Sequence, residues 1–409
     1  MKTNSPLPDL SDVEESIVFL NSNGRGDNFL AMGQKAELII SVGETNVLEK
    51  IDAFVEGSPD WIFGYFSYDL KNVLENLSHQ SPEIMSTPLV HLIKVKSVMR
   101  WNEKTSSYFG ENTSEFWSHF FRETSDKKST SSSIKLNPRI DKERYLKSIV
   151  SLQDHIRYGN IYEVNYCQEF GVSCHLNDSY QRYLNLNGYT EAPFSAYLRL
   201  GDIDVMCASP ERFLSRSGDK LISQPIKGTI KRSADPKTDE ALRIALQRSE
   251  KDRSENVMIV DLVRNDLSRL ATRGSVQVEE LFGVHTFKTV HHLISTVSAR
   301  IPHTSKFSDI LKATFPMGSM TGAPKISAMN LIDSHEASAR GLYSGSIGYI
   351  APNGDFDFNV VIRSLIYQRK QKYLSCSAGG AITALSEPEQ EYEESLLKAE
   401  AIQLSLALN

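Results

Sequence analysis

Residues 344–377 read SGSIGYIAPNGDFDFNVVIRSLIYQRKQKYLSCS, and this stretch decides the fold class. Three runs within it are typical of strands, at 344–350, 358–367 and 373–377. Asn353-Gly354, between the first two runs, is a turn dipeptide. Because a tight turn joins antiparallel neighbours, the stretch predicts adjacent, mostly antiparallel strands near the end of the chain.

Outside this stretch, strands and helices interleave without the regular rhythm of a doubly wound sheet. Further strand-like runs lie at 37–42, 61–68, 90–98, 194–200, 205–208 and 212–214. Tyr145, Ile149, Leu152 and Ile156 follow helical spacing and predict an amphipathic helix over 141–158. Two more helical regions are predicted at 236–271 and 390–408. This order predicts an α+β fold with large, mostly antiparallel sheets.

Composition excludes several classes of protein. The 409 residues carry 45 Lys+Arg and 51 Asp+Glu, a formal charge of −6, so no basic surface for nucleic acid is expected. No run of 18 apolar residues predicts a membrane span, and the start of the sequence has no secretory pattern. The four cysteines show no CxxC spacing, so we expect reduced thiols and a cytoplasmic protein.

The segment TSDKKSTSSS, at 124–133, is polar and low in complexity. It is typical of an exposed linker, and equally of a surface loop inside one domain. We predict a single domain over 1–409, with an N-terminal region at 1–125 and a catalytic core at 134–407.

The helix within 250–267 carries carboxylates on an apolar background. Glu255, Ile259, Leu262 and Asp266 share one face, and the middle of the helix is apolar nearly all round, so burial is expected. A buried carboxylate must be paired, protonated or bound to a metal. An ion pair of Glu255 with Arg253 or Arg264 is as good an interpretation as a metal ligand.

The last predicted helix offers a second acidic set. Glu391, Glu394 and Lys398 stand on one stripe, where a solvated Glu–Lys pair is the commoner arrangement. Two helices that each supply a glutamate would also suit Mg²⁺, which prefers oxygen ligands. No Cys/His spacing indicates zinc.

Three glycine-bearing segments are predicted to be turns that expose backbone N–H groups to anions. They are PIKGT at 225–229, GSMTGAPK at 318–325 and AGGA at 378–381. The lysine of the second follows a proline, which does not match a phosphate-binding P-loop, and structural turns explain each segment equally well.

Taken together, the chain resembles the chorismate-utilising enzymes. Ten collinear stretches over about 140–405 carry the resemblance: GNIYEVNYCQEF (159–170), PFSAYL (193–198), ASPERFL (208–214), PIKGTIKR (225–232), EKDRSENVMIVDLVRNDL (250–267), VHHLIST (290–296), FPMGSMTGAPKISAMNLID (315–333), GLYSGSIGYI (341–350), FNVVIRSLI (358–366) and AGGAIT…EYEESLLKAEAI (378–402). FGYFSYDLKNVLENL at 63–77 extends it less specifically. The resemblance implies the fold of anthranilate synthase component I, with two large antiparallel sheets sandwiched by outer helices around a central cleft.

Within this family, two positions favour one reaction. Lys227 in PIKGT resembles the lysine that the aminodeoxychorismate synthase component I branch has at this position. Anthranilate synthase component I typically has alanine there. Isochorismate and salicylate synthases need a lysine base where this chain has Glu163. The resemblance therefore implies formation of 4-amino-4-deoxychorismate for folate biosynthesis, with anthranilate synthase and then isochorismate or salicylate synthase as alternatives.

The resemblance also implies catalytic roles. Lys227 would add to chorismate C2 and form a covalent adduct, which requires a neutral amine and hence a lowered pKa. Glu211 would protonate the departing C4 hydroxyl, so its pKa should be raised. His292 would handle protons or orient the ring, with its neighbour His291 less suited, and Ser275 would position the reacting ring.

Chorismate is a dianion, and the remaining implied residues answer its charge. Mg²⁺ would be the cofactor, held by Glu255 and Glu394 with Glu391 close by, and Lys398 would reach the same carboxylate. The enolpyruvyl carboxylate would be held by Arg363, Tyr343 and the backbone of Gly380 and Ala381. Ser319, Gly228 and Thr229 would line the pocket.

The resemblance implies a protein partner as well. No GxCxG nucleophile motif surrounds any of the four cysteines, so ammonia would come from a separate glutamine amidotransferase subunit. Production of p-aminobenzoate itself would need a further enzyme.

Overall fold

A computed structural model describes residues 7–11, 13, 15–75, 77, 81–121 and 133–406. Of the predicted linker at 124–133, only Ser133 lies within the described residues.

The described strands form one hydrogen-bonded network in which neighbouring strands pair antiparallel. In chain order they are β1 (Ile17–Asn21), β2 (Asn28–Ile40), β3 (Ile62–Phe66), β4 (Val90–Trp101), β5 (Ser106–Gly110), β6 (Asn137–Pro138), β7 (Glu163–Ser173), β8 (Phe194–Leu200), β9 (Ile203–Ser209), β10 (Arg212–Ser217), β11 (Lys220–Gln224), β12 (Ile226–Lys231), β13 (Gln277–Thr286), β14 (Val290–Arg300), β15 (Gly322–Ala323), β16 (Ser346–Ile350), β17 (Phe356–Asn359), β18 (Ser364–Gln368) and β19 (Tyr373–Ile382). The predicted α+β class with antiparallel sheets is confirmed.

The helices pack against this network. They are α1 (Val47–Glu56), α2 (Lys71–Leu74), α3 (Ser114–Ser118), α4 (Lys142–Arg157), α5 (Ser179–Thr190), α6 (Pro236–Arg248), α7 (Glu250–Ser268), α8 (Phe307–Thr314), α9 (Lys325–His335) and α10 (Pro388–Gln403). The predicted helix at 141–158 is confirmed as α4. Asp141 caps its N-terminus by accepting a hydrogen bond from the Arg144 N–H at 2.8 Å. Among the described residues, no helix is both long and apolar enough to cross a membrane.

Two predicted elements are interrupted in the structure. The helical region at 236–271 divides at Ser249, whose extended backbone ends α6 and whose hydroxyl caps α7. The strand at 358–367 divides into β17 and β18, with Arg363 between them at φ 52°. β17 pairs with β16 and β10, whereas β18 pairs with β9 and β19, so the break passes the chain from one set of strands to another.

Strands from the N-terminal region and from the predicted core share the same network. β1 pairs with β8, and β3 pairs with β16, with Val18 opposite Leu198 and Gly64 opposite Gly348. One large cluster of buried side chains contains residues of both regions, from Val18 to Ile366. The strands that frame the site described next are therefore held from both regions.

Candidate active site

Lys227 lies on β12 where the strand is irregular. Register with β14 shifts between Ile226 and Thr229, and Gly228 has φ 91°, so the predicted turn is a β-bulge within a strand. A Cβ at Gly228 would stand 3.0 Å from the Cβ of Asp252 on α7. Only glycine fits there, and the bulge directs Lys227 to the buried side.

Glu163, the first residue of β7, receives the Lys227 side chain. Lys227 Nζ donates a hydrogen bond to Glu163 Oε1 at 2.5 Å, and the two side chains are 9% and 1% exposed. Burial by itself lowers the pKa of Lys227, but the charge and hydrogen bond of Glu163, with the charges of Glu255 and Glu211, outweigh it and raise that pKa. The expectation of a lowered pKa at Lys227 is wrong for this arrangement of carboxylates.

Glu211 follows β9 and is buried. Burial raises the pKa of Glu211 to about 7, against the hydrogen bond from Ser319 and the charges of Lys227 and Arg363. Ser319 Oγ donates to Glu211 Oε1 at 2.6 Å. The predicted raised pKa of Glu211 is confirmed, and the carboxyl is suited to donate a proton near neutral pH.

Arg363 and His292 form a second polar group. Arg363 Nη2 lies 3.3 Å from His292 Nε2, and His292 Nδ1 lies 2.8 Å from Thr229 Oγ1. Burial and the charge of Arg363 hold the pKa of His292 well below its usual range, so the ring is neutral. Since the guanidinium only donates, His292 Nε2 accepts and its proton sits on Nδ1.

With this geometry His292 can position Arg363, but it has no proton to donate from Nε2. The neighbouring His291 points to the other side of β14, where its ring contacts Thr286 and Asp239. Arg363 itself is kept in the left-handed region, a conformation that non-glycine residues adopt at a cost and often at functional sites. Burial lowers the pKa of Arg363 to about 10.

Glu255 lies on α7 and faces the lysine. Burial raises its pKa to about 7, opposed by the charge of Lys227. The alternative ion pairs are wrong, because Arg264 pairs with Asp261 at 2.9 Å and the Arg253 guanidinium lies 4.8 Å from the Phe282 ring centre. The expected burial of this helix holds on one face only, since Ile259 and Val263 are buried whereas Val257 is 48% exposed.

The acidic stripe of α10 lies against β19. A Cβ at Gly380 would stand 3.1 Å from Glu391 Oε2 and 3.6 Å from Glu394 Oε1. Lys398 pairs with Glu394 at 2.7 Å and donates to the Gly379 carbonyl at 2.6 Å. Burial raises the pKa of Glu391; at Glu394 the same effect is outweighed by Lys398, which lowers the pKa.

Three acidic, histidine or cysteine side chains do not converge on a metal-sized point anywhere in the described ranges. Glu391 and Glu394 are neighbours, whereas Glu255 lies on another helix, and no ligand geometry is formed. The oxygen donors are of the type that Mg²⁺ binds, and Glu255 is a half-buried carboxylate that forms no ion pair within the described residues.

Two predicted assignments need correction. Ser275 is not in the site: its Oγ bonds Thr272 and Arg300 at the far end of β14, eight residues or roughly 26 Å along the strand from His292. The AGGA segment is no turn but part of β19, paired with β7, so Gly380 and Ala381 lie opposite Tyr166 and Asn165. Ala381 therefore has ordinary strand backbone.

Tyr343 is buried beside a different charged group. Burial raises its pKa, and its electrostatic neighbours are Cys167, Arg340 and Glu336. The backbone places it near the proposed clamp, because the next residue, Ser344, donates to the Val361 carbonyl at 2.9 Å, two residues before Arg363. Within the described residues, Tyr343 and Arg363 form neither a hydrogen bond nor a cation–π contact with each other.

Sequence reasoning missed two buried ion pairs around the site. Glu163 and Lys227 are 64 residues apart, so no spacing rule could pair them. Lys325, predicted only as part of a turn, is buried and donates to Asp266 at 2.5 Å and to the Pro316 carbonyl at 2.9 Å. It ties α7 to the segment that carries Ser319.

Comparison with known proteins matches residues 15–404 to the family model of chorismate binding enzymes. The chain is 44% identical over 261 residues to aminodeoxychorismate synthase component 1 of Escherichia coli K12, covering 64% of this chain and 57% of that protein. It is 44% identical over 263 residues to a probable chloroplastic aminodeoxychorismate synthase of rice, covering 64% of this chain and 29% of that protein.

A solved structure shows the same architecture. Anthranilate synthase component I of Streptococcus pneumoniae superposes with a TM-score of 0.81 at 25% identity, covering 92% of both chains. The expected fold of anthranilate synthase component I is therefore confirmed. The matched region spans little more than half the length of the bacterial relative.

Proposed function

We propose that this chain, which belongs to the family of chorismate binding enzymes, converts chorismate and ammonia to 4-amino-4-deoxychorismate. The observation that carries the proposal is Lys227, buried in a strand bulge within the electrostatic reach of the proton-donating carboxyl of Glu211. A nucleophilic amine and an acid of pKa about 7 are the two groups that replacement of a hydroxyl through a covalent adduct requires. Similarity to the bacterial and rice relatives, which are named as aminodeoxychorismate synthases, supports the same reaction.

The reaction proceeds in two substitutions. Lys227 Nζ forms a bond to C2 of chorismate, the two conjugated ring double bonds shift, and the C4 hydroxyl leaves as water with the proton of Glu211. Ammonia then bonds to C4, both double bonds shift back, and the C2–Nζ bond breaks. The product ammonium returns one proton to Glu211, so the enzyme is restored.

The positive groups bind the substrate's carboxylates. Arg363 offers a planar, positively charged fork to the enolpyruvyl carboxylate, and neutral His292 fixes its orientation through the 3.3 Å contact. Thr229 holds the histidine in turn. Ser319, which donates to Glu211, keeps the acid oriented toward the hydroxyl that it protonates.

Mg²⁺ belongs to the proposal, with Glu255 and Glu394 as its holders and Glu391 beside them. When bound, the ion would neutralise the ring carboxylate among these acidic side chains. Lys398 would exchange its pairing with Glu394 for the same substrate carboxylate.

The alternative reaction is that of anthranilate synthase component I, whose fold this chain shares. Lys227 separates the two, because direct attack of ammonia on C2 needs no lysine. Incubation of the purified chain with chorismate, Mg²⁺ and an ammonium salt, followed by product identification by mass and absorbance, should give 4-amino-4-deoxychorismate. Anthranilate or isochorismate as the product would overturn the proposal.

The variant Lys227→Ala tests the covalent route. It should lower product formation by about 100-fold or more, because two easier steps are replaced by one harder one. Lys231→Ala, an exposed lysine on the same strand, is the matched control and should be silent. Trapping chorismate minus water on the peptide that holds Lys227 would support the adduct; a fully active Lys227→Ala variant would end the hypothesis.

A separate glutaminase subunit as the ammonia source is also proposed. Burial raises the pKa of all four thiols, to about 12 for Cys376, and the least buried is Cys174. Protonated thiols are poor nucleophiles, so none is suited to hydrolyse glutamine. Glutamine should support turnover only when a glutaminase is added, and glutamine-dependent product from the single chain would contradict this.

A further inference from the structure

We propose that Glu163 is the base that takes a proton from the Lys227 ammonium before the amine attacks, and returns it when the lysine is expelled. The inference deepens the proposed function and rests on it. It assigns a catalytic role to a carboxylate that contacts the reacting nitrogen.

The geometry joins the two groups directly. Glu163 Oε1 accepts from Lys227 Nζ at 2.5 Å, and both side chains are at least nine-tenths buried. The backbone of Glu163 is held opposite Ala323 of β15, and Gly322 approaches it so closely that a Cβ there would stand 2.2 Å from the Glu163 carbonyl oxygen. The carboxylate is therefore fixed on the nucleophile, and no water needs to carry the proton.

One oxygen of the Glu163 carboxylate lacks a hydrogen-bond partner among the described residues, as does one oxygen each of the ion-paired Asp178 and Asp204. Glu163 Oε2 is buried, and no hydrogen-bond partner for it is found in the described part of the chain. A structural ion pair in a protein interior normally has its remaining lone pairs satisfied, because an ionised, unpartnered oxygen is costly to bury. A carboxylate left free at one oxygen is instead ready to accept a proton there or at Oε1.

The charges around the lysine create the need for this base. Glu163 faces it from β7, Glu255 from α7, Glu211 from the segment after β9, and Glu394 from α10. Glu163 is the strongest of the influences that keep the proton on Lys227, and an ammonium has no lone pair with which to attack. Of these four, Glu163 is the one whose oxygen lies within hydrogen-bond distance of Nζ.

Lys227 and Glu163 together neither gain nor lose a proton over the cycle. Lys227-NH₃⁺ and Glu163-COO⁻ become Lys227-NH₂ and Glu163-COOH. The amine adds to C2 while Glu211 supplies the proton for the departing water. When ammonia bonds to C4 and the C2–Nζ bond breaks, Lys227 leaves as the neutral amine and recovers its proton from Glu163. The pair holds the same number of protons in its resting and its reactive form.

Because the Lys227–Glu163 pair keeps its number of protons, the pH dependence of adduct formation tests the proposal. In the wild type, the internal transfer needs no exchange with solvent, so the rate of adduct formation should be flat between pH 5.5 and 6.5. In Glu163→Gln, which keeps the side-chain shape but cannot accept a proton, Lys227 must lose its proton to solvent. The ratio of variant to wild-type rate should then rise about tenfold per pH unit.

The experiment is a rapid-quench measurement of adduct mass on the full chain with chorismate and saturating Mg²⁺, without ammonia, from pH 5.5 to 8.5. At pH 6 we expect Glu163→Gln to form the adduct about 100-fold more slowly than the wild type. Glu393→Gln, an exposed glutamate on α10, should match the wild type at every pH. Thermal unfolding checks that the isosteric variant folds, and the wild-type profile alone still tests the proposal if it does not.

The possible outcomes distinguish failure of the proposed function from failure of the Glu163 assignment. Absence of any adduct in the wild type would remove the proposed function. An adduct that forms in Glu163→Gln at a constant fraction of the wild-type rate would leave the function standing and show that Glu163 only positions the lysine. A wild-type rate that rises tenfold per unit below pH 6.5 would overturn the base assignment as well.

Discussion

At the scale of single residues, the site separates its carboxyl groups by environment. Glu211 and Glu255 are both raised to a pKa of about 7 by burial, whereas Lys398 lowers the pKa of Glu394. Glu211 and Glu394, chemically identical side chains, can therefore serve as proton donor and as cation ligand in one cleft. Sequence predicted the raised pKa of Glu211 because its role required it, but not that of Lys227, whose neighbours come from distant segments.

Activity should depend on the protonated form of Glu211. Its folded-state pKa lies above the ordinary value, so kcat/KM for chorismate should be level below pH 7 and fall about tenfold per pH unit above it. Glu211→Gln should lose about 100- to 10,000-fold and show no such fall. Assays at constant free ammonia and saturating Mg²⁺ measure both profiles; a level wild-type rate from pH 7 to 9 would contradict the assignment.

The metal assignment can be tested through charge. Glu394→Gln removes one anionic oxygen from a hard-cation site without leaving a cavity, so the Mg²⁺ concentration for half-maximal activity should rise about tenfold or more while the fold is kept. Glu393→Gln, the adjacent exposed residue, is the matched control. Titration of activity with Mg²⁺ gives the measurement, and an unchanged requirement would return Glu394 to a simple surface pair with Lys398.

At the scale of elements, the positions that aim side chains into the site are irregularities. The bulge at Gly228 lies within a strand where the sequence predicts a turn. The break at Arg363 divides what the sequence predicts as one continuous strand. The sequence showed the strands, the capped helix at 141–158 and the acidic stripe of α10, because these depend on local pattern. It could not show the bulge, the break or the position of Ser275 outside the site, because these depend on which distant strands meet.

The bulge should be sensitive to a single methyl group. Gly228→Ala places a Cβ 3.0 Å from Asp252 at φ 91°, so the free energy of unfolding should fall by about 1–3 kcal/mol and turnover should drop as Lys227 is displaced. Gly218→Ala is the control, since φ is 60° and nothing lies within 4 Å. It should cost strain without affecting turnover. Urea unfolding measures the stability of both variants and kcat measures their turnover. An equal loss of turnover in both variants would show that the Gly228 bulge does not position Lys227.

At the scale of the whole molecule, the N-terminal region supplies strands on which the site depends. β16 pairs with β3 on one side and with β17 on the other, and β17 leads directly to Arg363. β8 pairs with β1 and with β9, after which Glu211 follows. Removal of the N-terminal strands would leave β8 and β16 with unpaired edges, which are costly and prone to aggregation.

The two regions should therefore unfold as one unit, and the tryptophans make this measurable. Trp61, Trp101 and Trp117 all lie in the N-terminal region, whereas most helical residues lie beyond residue 141. Tryptophan fluorescence and far-UV circular dichroism thus report on different regions, and their urea midpoints should coincide. Val18→Ala, at a buried position of β1 opposite Leu198, should destabilise both transitions equally, by about 1–3 kcal/mol. A fluorescence transition that comes first, or that alone responds to Val18→Ala, would show two independent domains instead, because the core would then keep its helices without the N-terminal strands.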